Sequence, residues 1–165
     1  MAGLLSRSSP EAPARGVVCR RVTAPDELAQ HFAIRHAVFV EEQRIFADAD
    51  RDAHDDDPAT QHVLGYSDGV AAGAVRLYPL LDEDPRGGLW QGDRLAVLPG
   101  YRSAGLGGPL VRFAVRSAAE AGGHTMVARV QLANVTFFRR LGWTPVGEPV
   151  EYVGRPHQQM RIALR

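Results

Sequence analysis

Short apolar stretches broken by Gly, Pro and Asp divide the chain into alternating strand-like and helix-like pieces. Val17 to Val22 reads as a short strand, and Thr23-Ala24-Pro25-Asp26 as a helix start, with Pro and acids in the first turn. Leu28 and Phe32, then Ala29 and Ala33, are spaced four apart, which predicts one or two helices from 26 to about 45. Asp48 to Pro58 holds six Asp and few apolar residues, so it is expected as an exposed loop. Two β-like runs, His62–Ser67 and Val70–Tyr78, flank Asp68-Gly69, the dipeptide that favours a tight hairpin turn. A strand is expected over Leu89–Leu98. Leu106, Leu110, Phe113, Ala114, Ser117 and Ala118 then keep helical spacing until Gly122-Gly123. A strand at Thr125–Gln131, a short helix at Asn134–Leu141 and strands near Trp143–Val146 and His157–Leu164 complete the pattern. The order β, α, β-hairpin, β, α, β, α, β, β is mixed α/β in one domain over 17–165. Residues 1–16, rich in Ser, Pro, Arg and Ala without an apolar core, are expected as a disordered tail and not a signal peptide.

Composition changes this picture in two ways. All 19 basic side chains are arginine, so neither a lysine Schiff base nor a P-loop lysine is available. The formal charge of zero also conceals a split: residues 1–93 hold nine Arg against sixteen acids, and residues 94–165 ten Arg against three. Halves of opposite sign suit ligands of opposite charge, with a cationic acceptor expected against the acidic half. Cys19 is the only cysteine, which excludes a disulfide framework and a Cys-based metal cluster.

The densest chemistry lies in Leu95-Ala96-Val97-Leu98-Pro99-Gly100-Tyr101-Arg102-Ser103-Ala104-Gly105-Leu106-Gly107-Gly108. A strand ends, a glycine-bearing turn follows, and a helix begins within the glycines. Free amides at such a helix start attract anions, and glycines let a phosphate approach the backbone. A dinucleotide Gly-x-Gly-x-x-Gly fails here because Leu110 stands where the third Gly belongs. The remaining Arg-x-x-Gly-x-Gly after a strand resembles the acetyl-CoA pyrophosphate loop of the GNAT N-acetyltransferase superfamily. The alternative is a glycine-rich helix start that serves packing alone. Pro109, early in that helix, is expected to distort its first turn.

The resemblance covers roughly residues 17–164. It implies a central, mostly antiparallel twisted sheet of about six to seven strands, with splayed central strands and about four flanking helices. It further implies acetyl-CoA as co-substrate, with Leu95, Ala96 and Val97 pairing with the pantetheine arm. Arg102, Ser103, Ala104, Gly105, Leu106, Gly107 and Gly108 would cradle the phosphates. The segment from Val130 to Trp143 resembles the family's "aromatic, x, x, Leu-Gly-aromatic" block. It places Gln131, Asn134 and Phe138 beside the coenzyme. Phe138 stands where many members have a tyrosine that protonates the leaving thiolate, and phenylalanine has no proton to give. Tyr101, Tyr152 and His157 are the candidate substitutes, or the thiolate leaves unassisted.

Ile34 to Gln43 resembles the Arg-x-x-Val-Phe-Val-x-Glu-Gln segment of one bacterial branch, and Gly154 to Met160 that branch's closing Gly-x-Pro-His-x-x-Met strand. Together they would flank the acceptor. An attacking amine must lose a proton, and Glu41, Glu42 and His157 are the candidate bases. Neighbouring Glu41 and Glu42 cannot both face the site from one helix. Asp48-x-Asp50-x-Asp52 lacks the Gly and Glu that a calcium loop needs, so no metal is expected. Dispersed arginines argue against nucleic acid, and no apolar run is long enough for a bilayer. The expectation is a cytoplasmic bacterial N-acetyltransferase acting on a small-molecule amine, with a homodimer allowed. An acyl-homoserine-lactone synthase is the rival enzyme, because Arg35-x-x-Val38-Phe39 with the Asp residues that follow, and Val75 to Pro79, resemble its signature. A coenzyme-binding module without turnover is the rival of another class.

Overall fold

A computed structural model describes residues 16–165. The segment read as a tail lies outside the described residues except Gly16, whose N–H donates to Asp68 Oδ1 at 2.6 Å. Seven strands form one sheet in the order β1-β2-β3-β4-β5-β7-β6. They are β1 (Val17–Arg21), β2 (Gln61–Ser67), β3 (Val70–Pro79), β4 (Leu89–Val97), β5 (Thr125–Gln131), β6 (Thr144–Tyr152) and β7 (Arg155–Ala163). The helices are α1 (Pro25–Arg35), α2 (Gly107–Glu120) and α3 (Val135–Arg140), with a π-helical turn over His36–Glu42. The element order matches the one read from the sequence.

Local chemistry accounts for the junctions. At the start of α1 the Glu27 carboxylate accepts from the Thr23 and Ala24 N–H groups, at 2.9 and 3.1 Å, which satisfies donors with no helical partner. The expected hairpin turn is made by Asp68 and Gly69, both at positive φ, +47° and +84°. The helix after Arg35 continues with wider spacing: Gln43 N–H bonds Val38 O at 2.8 Å, a five-residue step. Pro109 is the third residue of α2, ahead of the first helical bond, Leu110 N–H to Leu106 O at 3.1 Å. No bond is lost there, so the expected distortion does not arise.

Each face of the sheet carries a core. Leu106, Leu110, Val111, Ala114 and Ala118 of α2 pack on Val63, Leu77, Trp90 and Met126. On the other face Ile34, Val38 and Phe39 pack on Leu64, Ala74 and Ala96. Val63 and Leu64 are neighbours on β2 and serve opposite layers, as strand alternation requires.

The sheet is irregular in two places near its centre. β4 and β5 run parallel and pair only over Leu89–Gln91 with Thr125–Val127, after which they diverge. β4 also carries a bulge: Ala74 pairs with Ala96 but Arg76 pairs with Asp93, and Arg94 at φ +54° absorbs the extra residue.

The stretch 48–58 is an exposed loop, as expected, except at two acids. Asp50 and Asp55 are 2% and 8% exposed, and Ala53–Asp56 forms a 3-10 turn. Arg35 Nε donates to Asp50 at 2.7 Å and Arg35 Nη1 to Asp55 at 2.7 Å. Arg76 reaches Asp52 and Asp93, each at 2.7 Å, and Asp55 at 3.1 Å. Arg94 donates to the Asp50 carbonyl at 2.9 Å. Arg35 and Arg76 are wholly buried, so their charges require these partners.

Candidate active site

A cleft opens where β4 and β5 part. Its floor is apolar, with Val75, Val111, Ala114, Met126, Ala128, Phe138 and Trp143, and its rim carries Gln91, Asp93, Arg94, Arg129, Gln131, Asn134, Tyr152 and His157. Leu95, Gln131, Asn134, Phe138 and His157, all named from sequence, therefore meet in one place. Glu41 and Glu42 do not line it.

At the β4 side of the gap, Leu98 N–H donates to Ala72 O at 2.9 Å. The antiparallel alternation then turns the Val97 N–H and C=O away from β3, toward the space that β5 has vacated. The Val97 carbonyl accepts from Arg102 Nε at 3.0 Å, which leaves the N–H as the free group. Ala96 faces the α1 layer instead and is 2% exposed, and its backbone groups, one step from those of Val97, point to Ala74 of β3 and not to a ligand.

The loop beyond β4 is a 3-10 turn, Pro99–Ala104, that ends at Gly105 with φ +76° before α2 begins at Gly107. The left-handed residue at 105 requires glycine, since a Cβ is disfavoured there. Leu106 is fully buried in the core, so its contribution to a ligand is restricted to the backbone. The Gly107 and Gly108 amides precede the first helical bond and face outward at the positive end of the α2 dipole. Ser103 and Ala104 are exposed. The Arg112 guanidinium stands over Gly108, 3.4 Å from where its Cβ would be, and adds a charge that sequence reading did not single out. The signal was present, because Arg112 lies one helical turn after Gly108.

Arg102 closes on Glu42, Nη1 to Oε2 at 2.7 Å. That guanidinium holds the Glu42 carboxyl below its ordinary range, which weakens it as a proton acceptor. Glu41 is exposed on the same π-helical turn. His157 is 5% exposed, and its Nδ1 lies 2.8 Å from the Arg155 carbonyl. A carbonyl only accepts, so Nδ1 carries a proton, and in the neutral ring the lone pair is then on Nε2. Tyr152 presents its ring to the His157 ring at 5.3 Å and to the Arg129 guanidinium at 4.6 Å. Of the three substitutes for a tyrosine at 138, Tyr152 and His157 line the cleft and Tyr101 does not. The two acceptor-side segments also touch: Arg155 Nη2 donates to Gln43 O at 2.7 Å, and Gln131 Nε2 to Gln43 Oε1 at 3.2 Å.

In the acidic loop Asp50, Asp52 and Asp55 are committed to Arg35, Arg76 and Arg94, whereas Asp48, Asp56 and Asp57 remain exposed. Arg35 and Arg76, the arginines that resemble the lactone-synthase signature, lie inside this network with no exposed surface.

The sequence model described as the acetyltransferase (GNAT) family matches residues 26–143. YjcF of Bacillus subtilis, named an uncharacterized N-acetyltransferase, is 31% identical over 140 residues, covering 82% of this chain and 91% of its own. Among solved structures, a candidate N-acetyltransferase from Lactobacillus plantarum superposes with TM-score 0.78 at 24% identity, over 92% of this chain and all of that one. BjaI, a CoA-dependent acyl-homoserine lactone synthase, gives TM-score 0.73 at 22% identity, over 91% of this chain and 84% of its own. At those identities the two structures establish a shared fold.

Proposed function

The chain belongs to the acetyltransferase (GNAT) family, and from that premise we propose that it transfers the acetyl group of acetyl-CoA directly to the primary amine of a small molecule. The observation that carries the reading is His157: a buried imidazole in the cleft between β4 and β5, with Nδ1 engaged by the Arg155 carbonyl. Its Nε2 lone pair is the group suited to take a proton from an amine.

The coenzyme's pyrophosphate would lie against the Gly107 and Gly108 amides, with Arg102 and Arg112 beside it. Its pantetheine arm would run along β4 where β5 has turned away. The thioester carbonyl would point at the Val97 N–H, which stabilises the oxyanion as the amine adds. In that step the amine nitrogen bonds the acetyl carbon and His157 Nε2 accepts the amine proton. The carbon–sulfur bond then breaks, leaving amide and thiolate. A thiol of pKa about 8.5 is an adequate leaving group without an acid, which accommodates Phe138.

Calorimetry with acetyl-CoA, paired with release of free thiol over a panel of amines, tests the proposal. Binding with amine-dependent thiol release is the expected result. Binding without release on any amine would establish a coenzyme-binding module instead. Formation of lactone from S-adenosylmethionine and an acyl donor would make the protein a lactone synthase. Burial of Arg35 and Arg76 favours the acetyltransferase reading, since neither side chain can reach a substrate.

A further inference from the structure

The charged groups around the cleft are unequally engaged. Asp93 accepts from Arg76 on both oxygens, each at 2.7 Å, and from the Tyr78 hydroxyl at 3.2 Å. Arg94 donates twice to the Asp50 carbonyl, reaches Asp52 at 3.4 Å, and lies over the Phe46 ring at 4.7 Å. Arg129 is different. It lines the same cleft, and among the described residues no carboxylate lies within ion-pair distance of it and no side-chain hydrogen bond engages it. Its guanidinium rests on the Tyr152 ring at 4.6 Å, which orients the fork without neutralising it.

Arg129 is also well placed relative to His157. On β5 and β7 Gln131 pairs with His157 and Arg129 with Gln159, so Arg129 and His157 are diagonal neighbours on one face of the sheet. Both stand against Tyr152, the guanidinium at 4.6 Å and the imidazole at 5.3 Å, on rings that cross at 89°. The two groups are therefore at most about 10 Å apart, close enough for the amine and the carboxylate of one small molecule to meet both.

We propose that the acceptor is an amine bearing a nearby carboxylate, as in an α-amino acid, and that Arg129 recognises the carboxylate while His157 faces the amine. This rests on the acetyl-transfer reading above. It departs from the cationic acceptor that the acidic half of the sequence suggested, because among the described residues Asp93 is the one carboxylate lining the cleft, and it is paired with Arg76. Arg129 acts as a fork suited to a planar carboxylate, a geometry that lysine does not reproduce.

The test measures thiol release from acetyl-CoA with matched acceptors: a set of amino acids as free acids, as primary amides, and as the decarboxylated amines. Wild type is expected to favour the free acids by roughly tenfold or more in kcat/KM, the scale of one charge-assisted bidentate contact. R129Q is expected to collapse that preference, chiefly through KM, and R129K to keep part of it. Turnover of amides or simple amines as fast as acids would overturn the inference and leave acetyl transfer standing. An equal loss on all three acceptor types in R129Q would assign Arg129 a structural role and also overturn it. Thiol release with no amine at all would overturn both readings. Should R129Q fail to fold, the wild-type ratio of acid to amide and its change in R129K decide the matter.

Discussion

Arg102 grips the Glu42 carboxylate with both terminal nitrogens, one at 2.7 Å, and at the same time donates through Nε to the Val97 carbonyl at 3.0 Å. The residue expected at the coenzyme's phosphates is thus held by a residue expected at the amine. Both lie at the surface, where a dianionic pyrophosphate competes effectively for a guanidinium.

From this pairing, R102A is expected to weaken acetyl-CoA binding by about tenfold or more, the scale of a charge-assisted contact. E42Q removes the competing carboxylate and is expected to bind acetyl-CoA as tightly as wild type or more tightly, with kcat changed by less than about tenfold. Calorimetry and steady-state thiol release read the two quantities. A fall of about 10³ in kcat for E42Q would transfer the role of base from His157 to Glu42.

His157→Gln keeps a polar side chain of similar size without a proton-accepting nitrogen. Its kcat is expected to fall by about 10²–10⁴ at saturating coenzyme, the usual contribution of a positioned base. Recovery of rate as pH rises, where more of the amine is already deprotonated, would accompany that loss. An undiminished kcat would remove His157 from the mechanism.

The element order could be read from the chain because each element declares itself locally. Leu106, Leu110 and Ala114 mark a helix, and Asp68-Gly69 marks a turn whose φ values are the ones that dipeptide supplies. The coenzyme loop was legible for a similar reason: Gly105 turns the chain at φ +76° just before the glycine start of α2. What escaped was long-range and electrostatic. Asp50 and Asp55 look like solvent-facing acids until Arg35 and Arg76 are seen buried beside them. Glu42 and Arg102 are 60 positions apart, and no periodicity joins them. Arg129 reads as one of nineteen arginines until its neighbours' charges have been assigned.

The buried network should dominate stability. Arg76 has no exposed surface and holds Asp52, Asp55 and Asp93. R76M takes from Asp93 its two-armed partner and from Asp52 and Asp55 one of their cations, and is expected to cost about 3–5 kcal/mol in denaturant unfolding. R76K should recover little, since an ammonium cannot make the paired bonds to Asp93. A cost below about 1 kcal/mol would show that the charges are solvated in solution.

Acid is expected to unfold the protein through His31. Burial, then the neighbouring Arg35 charge, pushes its pKa down to about 3 from an ordinary 6.5. Nδ1 faces the Val63 carbonyl at 3.0 Å and Nε2 faces Arg35 Nη1 at 3.3 Å, an arrangement made by the neutral ring. Between those pH values the unfolded chain binds a proton that the folded one refuses, so stability falls as pH drops from about 6.5 toward 3, by up to about 1.4 kcal/mol per pH unit. Unfolding midpoints measured across this range should slope upward with pH, and H31Q, which has no proton to gain, should flatten the slope. Equal slopes in the two proteins would rule His31 out as the cause.

The bulge in β4 settles the sign of the charge that Arg76 meets. Ala74 opposite Ala96 sets a register that, carried on unbroken, would bring Arg94 directly across from Arg76, guanidinium against guanidinium in a dry interior. One residue wound to φ +54° slips the strand by a single step, and Asp93 arrives there instead. A repulsive rung becomes a two-armed ion pair at 2.7 Å, and the displaced Arg94 is turned toward the rim of the cleft. The same slip therefore lets the sheet keep one buried arginine and brings a second to the cleft.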